Sequence, residues 1–349
     1  MMTPRERVEA ALRGHEVDRI PFTVYETKIP QCETERRLRN EGLCIIDRRI
    51  PGYEVKFNNV EQESVHFRGK DGIPRIRTII HTPVGDISAL ERPAPRTSWS
   101  EEKLFKSPAD YAPIEYMIRD QDYLPNYDAF LKAQQAAGGD VFFRATIGYS
   151  PLQEIIYGLM GVEQFSIEWA ERRDKVMRLY DALTENRRKI YAVVAESPAL
   201  AVNYCGNVSP EVVGRARFEK YILPHYNECA EIMHKHGKLL GVHLDANNRL
   251  LAPLIADSKI DYIEAFTPPP DCDMSVAEAR RMWPDKVLWI NFPSSVHLAE
   301  PSVIEETTRQ ILKEAAPGDR FLLGITEDVP PDRWQQNFSI ISRVINTEG

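Results

Sequence analysis

From residue 139 onward, short apolar runs alternate with longer stretches of helical periodicity. Most of these runs are apolar at successive positions, which is typical of strands buried on both faces. Strands of this kind between helices predict a parallel sheet covered by helices. The six runs are DVFFRATIG (140–148), ALAVNYCGN (199–207), LLGVHLDAN (239–247), DYIEAFTPP (261–269), VLWINFP (287–293) and RFLLGITED (320–328).

The N-terminal part of the chain adds a capped helix and one more strand to this pattern. Thr3 and Glu6 have the spacing of a capping box ahead of an amphipathic stretch, and a polar helix is expected around 32–41. The run PFTVYE at 21–26 reads as a strand. We therefore predict an α/β fold, a (β/α)8 TIM barrel with an N-terminal extension. The first strand of the barrel is 21–26, and the last is 320–328. No glycine-rich dinucleotide motif or Walker loop follows a strand, which argues against nucleotide-binding folds.

Residues 54–92 have a different character, because their β-rich runs are short and are separated by turn signals. An Asp-Gly pair at 71–72 predicts a hairpin, and Pro-Val-Gly at 83–85 marks a second turn. We predict a small antiparallel excursion here, inserted in a single barrel domain that spans 1–349.

Composition narrows the classes of function. The 349 residues carry a formal net charge of −8, which argues against a protein that coats nucleic acid or an anionic membrane. No apolar stretch approaches the ~20 residues of a membrane span, and the charged N-terminus lacks the apolar core of a signal peptide. The five cysteines are scattered, form no Cys-x-x-Cys pair and suit a reducing compartment. We expect a cytoplasmic protein.

Polar side chains follow the apolar runs, where the active sites of (β/α)8 barrels lie. His243 and Asp245 are two residues apart on one strand, so their side chains point to the same face. Glu327 ends the last strand, which closes the barrel beside the first. One histidine and two carboxylates make a three-ligand metal set with an open position. The candidate site residues are Glu26, Cys205, His243, Asp245, Glu264, Asn291 and Glu327.

Most of these residues also have a plainer interpretation. His243 and Asp245 fit a hydrogen-bonded couple in which the carboxylate fixes the imidazole tautomer. Glu327 fits the acidic first turn of a helix. Cys205 fits a small buried apolar residue, and Asn291 fits a hydrogen-bonding spacer inside the barrel. For His243 and Asp245, spacing alone favours the hydrogen-bonded couple over the metal site.

The carboxylates of Glu264 and Glu26 are harder to explain as ordinary surface groups. Glu264 lies inside the apolar run YIEAF, and Glu26 follows FTVY. A carboxylate that is buried in such a run must be paired, protonated or functional.

Five segments together resemble the uroporphyrinogen decarboxylase-like superfamily, in the expected order over nearly the whole chain. The resemblance implies a (β/α)8 barrel with an N-terminal extension. It also implies the activity of one of two branches, the tetrapyrrole decarboxylases or the zinc-dependent methyltransferases that work with corrinoid proteins. The segments are MTPRERVEAALRGHEVDRIPF (2–22), TPVGDIS (82–88), SPEVVGRARFEKYILPHY (209–226), GVHLDANN (241–248) and GITEDVPPDRW (324–334).

The decarboxylase branch carries an Arg-Gln-Ala-Gly-Arg-Tyr signature near its first strand, where this chain has FTVYETKIP at 22–30. A substrate with several carboxylates needs clustered cations, and the expected mouth of this barrel is mostly acidic or neutral. The methyltransferase branch holds zinc through His-x-Cys on one strand and a later Cys. By position, the resemblance assigns His243, Asp245 and Glu327 to these ligands, so both thiolates are replaced by carboxylates.

Carboxylates leave zinc harder and more Lewis-acidic than thiolates do, which favours an oxygen-bearing methyl donor. The resemblance then implies O-demethylation of a small methyl ether, aromatic ethers included, with transfer of the methyl group to a cobalt(I) corrinoid. The corrinoid is expected on a separate partner protein, since this chain has no Asp-x-His-x-x-Gly pattern. A homodimer is also implied.

Within this interpretation, Glu26 and Glu264 are the catalytic candidates, which orient the substrate or protonate the leaving oxygen with a raised pKa. Cys205 and Asn291 are the substrate-binding candidates, and Cys205 is alternatively a fourth zinc ligand. Two other functions stay open: a metal-independent decarboxylase, and a non-catalytic barrel that acts as a binding partner.

Overall fold

The computed structural model describes residues 2–94, 98–206 and 208–349. Fifteen strands occur in these ranges: β1 Phe22–Tyr25, β2 Leu43–Asp47, β3 Tyr53–Phe57, β4 Glu61–Arg68, β5 Pro74–Thr82, β6 Gly85–Pro93, β7 Ser98–Glu102, β8 Gln121–Pro125, β9 Val141–Phe143, β10 Ala145–Gly148, β11 Ala201–Tyr204, β12 Leu239–His243, β13 Tyr262–Phe266, β14 Val287–Asn291 and β15 Phe321–Ile325.

Fourteen α-helices occur in the same ranges, together with 3-10 helices at Pro108–Asp110 and Ser294–Leu298 and a π-helix at Glu154–Met160. The α-helices are α1 Pro4–Leu12, α2 Glu33–Asn40, α3 Tyr111–Arg119, α4 Tyr127–Ala137, α5 Pro151–Gln153, α6 Val162–Glu171, α7 Arg173–Glu196, α8 Pro210–Val213, α9 Arg215–Tyr221, α10 Leu223–Lys235, α11 Ala252–Ala256, α12 Val276–Met282, α13 Pro301–Ala315 and α14 Trp334–Glu348. Within the described ranges, no helix has the length and apolar character needed to cross a bilayer.

The main sheet is a barrel. Nine parallel strands follow the order β10-β11-β12-β13-β14-β15-β1-β2-β9, and the two ends of this order are separated in the chain by Arg144 alone. β9 pairs with β2, whereas β10 pairs with β11. Counting β9 and β10 as the two halves of one strand gives eight strands and closes the sheet. The predicted (β/α)8 barrel is confirmed, with β1 beside β15.

The interior of the barrel is filled by inward-facing side chains from alternate strand positions, as expected for this fold. Buried Tyr262, Trp289 and Leu322 belong to this cluster. Val8 and Leu12 of α1 pack against it. The N-terminal extension therefore supports the barrel. Its capping box is confirmed: the Glu6 amide donates to the Thr3 hydroxyl, and the Thr3 amide donates to the Glu6 carboxylate.

The chain divides into two compact units. The barrel unit comprises 1–52, 126–148 and 194–349, and the second unit comprises 53–125 and 149–193. The second unit contains an antiparallel sheet in the order β4-β5-β6-β7 and a separate β3-β8 pair. The predicted hairpins at 71–72 and 83–85 are both present, but the antiparallel part runs past residue 92 to Glu102.

Besides β7, which lies past the predicted range 54–92, two further strands were not predicted. β2 is the five-residue run LCIID directly after a polar helix, and it forms the second strand of the barrel. β8 mixes polar and apolar residues and, among the described strands, pairs only with β3, so it lacks the apolar pattern that predicts a strand.

Candidate functional site

The predicted pairing of His243 and Asp245 is present at the end of β12. His243 is the last residue of the strand, and Asp245 follows two positions later. The imidazole Nε2 lies 3.4 Å from Oδ2 of Asp245. Both side chains are partly exposed, so this end of the pair is open to a ligand.

Glu264 of β13 holds the other ring nitrogen of His243. β12 and β13 pair in parallel with His243 opposite Glu264, and Nδ1 lies 2.6 Å from Oε2. The register between β13 and β14 shifts directly after Glu264, where Ala265 has a φ of 59°. This bulge in the middle of the strand sets the direction of the buried Glu264 side chain.

Tyr25 and Arg144 complete the group around Glu264. The Tyr25 hydroxyl donates to Oε1 of Glu264 and lies 3.4 Å from Nδ1 of His243. Nη2 of Arg144 donates to the Tyr25 oxygen at 3.1 Å and lies 3.4 Å from Oε1 of Glu264. Arg144 occupies the break between β9 and β10, and its side chain is 4% exposed. The interrupted strand thus carries a cation into the barrel.

Two donors of Arg144 are left over. Its Nε and Nη1 are buried and have no hydrogen-bond partner among the described residues. The nearby Tyr262 hydroxyl donates to the Val202 carbonyl at 2.9 Å. Buried unpaired donors cost free energy unless a water or a ligand group satisfies them.

The pKa shifts follow from this network. Burial alone would raise the pKa of Glu264, but Arg144 and His243 outweigh it and bring the pKa well below its usual range. Burial alone would lower the pKa of His243, but Glu264 and Asp245 raise it above its ordinary range. The raised pKa expected for a catalytic Glu264 is therefore wrong, because two cationic groups face the carboxylate. Burial and Glu264 raise the pKa of Tyr25, which stays protonated.

Glu26 is also paired. Its side chain is 8% exposed, and Arg48 donates to both carboxylate oxygens, at 3.1 and 3.2 Å. The Arg48 guanidinium lies over the Tyr25 ring, with 3.5 Å between Cζ and the ring centroid. Arg48 therefore holds the Glu26 carboxylate in a bidentate ion pair. This pairing gives no support to the prediction that Glu26 is a proton donor.

Glu327 lies two residues beyond β15 and is exposed. Its pKa is raised by loss of hydration, Lys28 opposes the rise, and the charges of Asp245 and His243 also act on it. Glu327 is thus within electrostatic range of the pair. Nevertheless, over 2–94, 98–206 and 208–349, no three His, Cys, Asp or Glu side chains are grouped closely enough to hold a metal ion. Of the three predicted metal ligands, only His243 and Asp245 therefore lie together.

Cys205 and Asn291 differ in their surroundings. Cys205 is partly exposed, with its sulfur 3.3 Å from the Thr146 hydroxyl. Its neighbour Gly206 packs so closely on the His243 ring that a Cβ there would overlap the imidazole. Asn291 is buried and accepts from the Thr326 amide at 2.8 Å, which matches the spacer interpretation.

The facing atoms of His243 and Asp245 have the separation expected of two ligands of one zinc ion. Zinc binds imidazole nitrogen at ~2.0 Å and carboxylate oxygen at ~2.1 Å, so two ligand atoms of a tetrahedral site lie ~3.4 Å apart. The Nε2–Oδ2 separation is 3.4 Å. Metal-bound histidines usually donate their other ring N–H to a carboxylate, and Glu264 is placed to accept it.

Sequence reasoning missed Tyr25, Arg48 and Arg144. The run VFFRATIG did contain a signal, because an arginine inside a buried strand requires a buried anion, and Glu264 in YIEAF required a buried cation. To pair Arg144 with Glu264, the order and alignment of the strands around the barrel had to be known.

Comparison with one solved structure agrees with this fold. Among solved structures, a methyltransferase from Methanosarcina mazei matches with a TM-score of 0.59 and 12% identity, covering 99% of each chain. A structure from work on the pneumococcal virulence factor StrH and its N-glycan hydrolysis has a TM-score of 0.39 and 8% identity, covering 97% of this chain and 85% of that one. No curated protein matches the sequence.

The likeness to the methyltransferase, at 12% identity, bears on the fold alone. The sequence itself matches a family model described as uroporphyrinogen decarboxylase (URO-D) over residues 106–346, more than half of the chain. The chain belongs to the uroporphyrinogen decarboxylase family.

Proposed function

We propose that this protein is a zinc-dependent methyltransferase that moves a methyl group from a methyl ether to a cobalt(I) corrinoid carried by a separate protein. The observation that carries the proposal is the state of His243. Its Nδ1 is held by Glu264 at 2.6 Å, and its Nε2 is directed at Asp245 at 3.4 Å. Asp245 thus lies beside the ring nitrogen that would bind the metal, while Glu264 holds the opposite one.

His243 and Asp245 would hold the zinc ion, with Glu327 as the third ligand. Glu327 is exposed at the end of a barrel strand, so its side chain can turn toward the pair without disturbing the core. The two carboxylates would neutralise the charge of the ion. When bound, zinc would supply a Lewis acid that makes an ether oxygen a better leaving group.

The residues behind the ligands have positioning roles. Glu264 stays ionised and fixes the tautomer and direction of the His243 ring. Tyr25 stays protonated and donates to Glu264, so it restrains that carboxylate from the first strand. Arg144 balances the negative charge inside the barrel. Cys205 is partly exposed next to His243 and is the proposed substrate contact.

The methyl transfer is a displacement at the methyl carbon of the ether. The cobalt(I) centre of the corrinoid supplies the electron pair that forms the cobalt–methyl bond. The carbon–oxygen bond breaks, and the ether oxygen leaves with the bonding pair as an alkoxide or phenolate. The released oxygen takes a proton from water, since Glu26 and Glu264 are both held in ion pairs.

A decarboxylase is the second candidate, and the leftover donors of Arg144 favour it. Nε and Nη1 of this residue are buried and unpaired in the described part of the chain, and they could bind a substrate carboxylate. The cations near the mouth, Arg48 and Arg144, are nevertheless already matched by Glu26 and Glu264. A substrate with several carboxylates would find little net positive charge here.

Methyl transfer to free cob(I)alamin tests the proposal. The zinc-loaded protein is incubated with a panel of methoxylated aromatic and aliphatic compounds, and methylcobalamin is followed by its visible spectrum. We expect methylcobalamin with at least one ether, and at least a ~100-fold slower rate for His243→Ala because loss of a ligand removes the metal. His236→Ala, at an exposed histidine of the same unit, is the matched control.

Absence of methyl transfer across the panel, or an unchanged rate in His243→Ala, contradicts the proposal. Release of CO2 from a polycarboxylate would then establish the decarboxylase. Neither activity, with partner binding unchanged by His243→Ala, would indicate a non-catalytic barrel.

A further inference from the structure

The second unit contains a cavity of about 590 Å³ with an unusual lining. One wall is a face of α3, including Tyr111, Ala112 and Tyr116, and the opposite wall is the start of α7. Pro108 and Val84 supply further apolar surface. A volume of this size suits a small organic ligand, since such pockets usually measure roughly 300–1,000 Å³.

The charge of the lining is opposite to that of the whole chain. The lining includes four cations and a single carboxylate, Glu115, whereas the chain has a formal net charge of −8. Three of the cations recur every third residue around the start of α7, so they share one face. The four cations are Arg119, Arg172, Lys175 and Arg178.

The carboxylates around the cavity leave several cationic donors unused. Glu115 is shared between Arg119 and Arg178, which contact its two oxygens at 3.2 and 2.9 Å. Arg119 also pairs through Nη1 with Glu185 at 2.5 Å. Within the described residues, Arg172 forms ion pairs only through Nη1, with Glu168 and Glu171. A guanidinium has five N–H donors, so each arginine keeps some for another anion. In the ranges the structure describes, the Lys175 ammonium makes no ion pair or hydrogen bond.

We propose that this cavity binds an aromatic carboxylate. The apolar residues and the tyrosine rings would cover the flat body of the ligand, and Lys175 with the arginines would pair with its carboxylate. A neutral ligand would leave the Lys175 ammonium without a counter-ion, and a highly charged one would leave the apolar walls exposed to water. The proposal does not rest on the function of the barrel.

Binding of 2-naphthoate, measured by equilibrium dialysis on the full chain, tests this site. The neutral isostere 2-naphthamide has the same body without the charge. We expect about one equivalent of 2-naphthoate to bind, at least ~5-fold more tightly than 2-naphthamide, and the affinity to fall with added salt. Lys175→Met keeps the apolar stem and should weaken binding ~3-fold, as expected for one exposed ion pair.

Ala112→Trp should abolish binding, because Ala112 is exposed at the cavity wall and the indole would fill the space. Ala109→Trp, also exposed at the wall, is the second filling variant if the first loses its circular dichroism signal. Lys132→Met, at an exposed lysine of the barrel unit, is the matched charge control and should bind as the parent does. Equal affinity for 2-naphthoate and 2-naphthamide, or undiminished binding in a folded tryptophan variant, would overturn the proposal.

Discussion

Glu264 is the residue on which the polar interior of the barrel depends. Its two oxygens are engaged by Tyr25 and His243 and face Arg144, and the carboxylate is fully buried. A buried charge whose partner is removed is strongly destabilising, because the remaining charge has neither water nor a counter-ion. The stability of the fold and the orientation of the candidate ligand His243 are therefore linked through one side chain.

Replacement of this residue gives the first prediction. Glu264→Gln should lower the free energy of unfolding by about 3 kcal/mol, because Arg144 loses its buried counter-ion. Urea denaturation followed by circular dichroism measures the change. Glu26→Gln is the matched control at the same end of the barrel. Its partner Arg48 is 29% exposed and can be hydrated, so we expect a loss of under ~1 kcal/mol.

A double variant separates charge from packing in this prediction. If the unmatched guanidinium causes the loss, Glu264→Gln combined with Arg144→Met should be more stable than Glu264→Gln alone. A double variant with the summed losses of both single variants would show that Arg144 and Glu264 do not depend on each other.

His297 gives a prediction on pH. It is 1% exposed between the rings of Phe292 and Phe338, and burial lowers its pKa to about 4. The unfolded chain binds a proton near the ordinary pKa of ~6.5, so the unfolded state gains protons first as the pH falls. Stability should be fully present above pH ~6.5 and fall by about 3 kcal/mol toward pH ~4.

Unfolding free energies between pH 7 and 4 measure this dependence. His297→Phe should remove most of this dependence of the unfolding free energy on pH. Replacement of the exposed His15 by Phe should leave the dependence unchanged. An identical slope in parent and His297→Phe would contradict a buried, neutral His297.

At the level of elements, the strands were predictable where apolar runs were long and were bounded by polar helices. The six runs from 140 to 328 each contain a barrel strand, and 21–26 contains the first. β2 was not predicted, because a run of only four apolar residues after a polar helix gives no distinct period. The 140–148 run was expected as one strand, but Arg144 interrupts it, since its side chain turns inward to Glu264.

The backbone strain at Ala265, in the bulge of β13, gives a prediction at the level of one strand. A φ of 59° costs alanine roughly 1–2 kcal/mol and costs glycine nothing. Ala265→Gly should therefore leave the unfolding free energy within about 0.5 kcal/mol of the parent, because relief of strain offsets the lost methyl group and the added chain entropy.

Ala145 provides the matched control, because it is equally buried in a barrel strand without a positive φ. Ala145→Gly should cost about 1.5 kcal/mol, since nothing offsets the loss of burial and the greater entropy of the unfolded chain. Equal losses in the two variants would show that the bulge is not strained.

At the level of the whole molecule, the candidate site was predictable in part. His243 and Asp245 were found from their spacing on one strand, and the need for a partner of Glu264 was found from its apolar surroundings. Tyr25 and Arg144 were not found, because their contacts depend on which strands face each other across the barrel. Local sequence periodicity describes a strand and its two faces, but it does not describe distances across a closed sheet.

The proposed methyltransferase activity depends on whether His243 and Asp245 bind zinc. Elemental analysis by inductively coupled plasma mass spectrometry, on protein purified without a metal-binding tag and then dialysed against limiting zinc, measures this directly. We predict about one zinc ion per chain in the parent and in His236→Ala, and almost none in His243→Ala. No zinc in the folded parent, or equal zinc in the parent and His243→Ala, would contradict the metal site and the methyltransferase proposed on it.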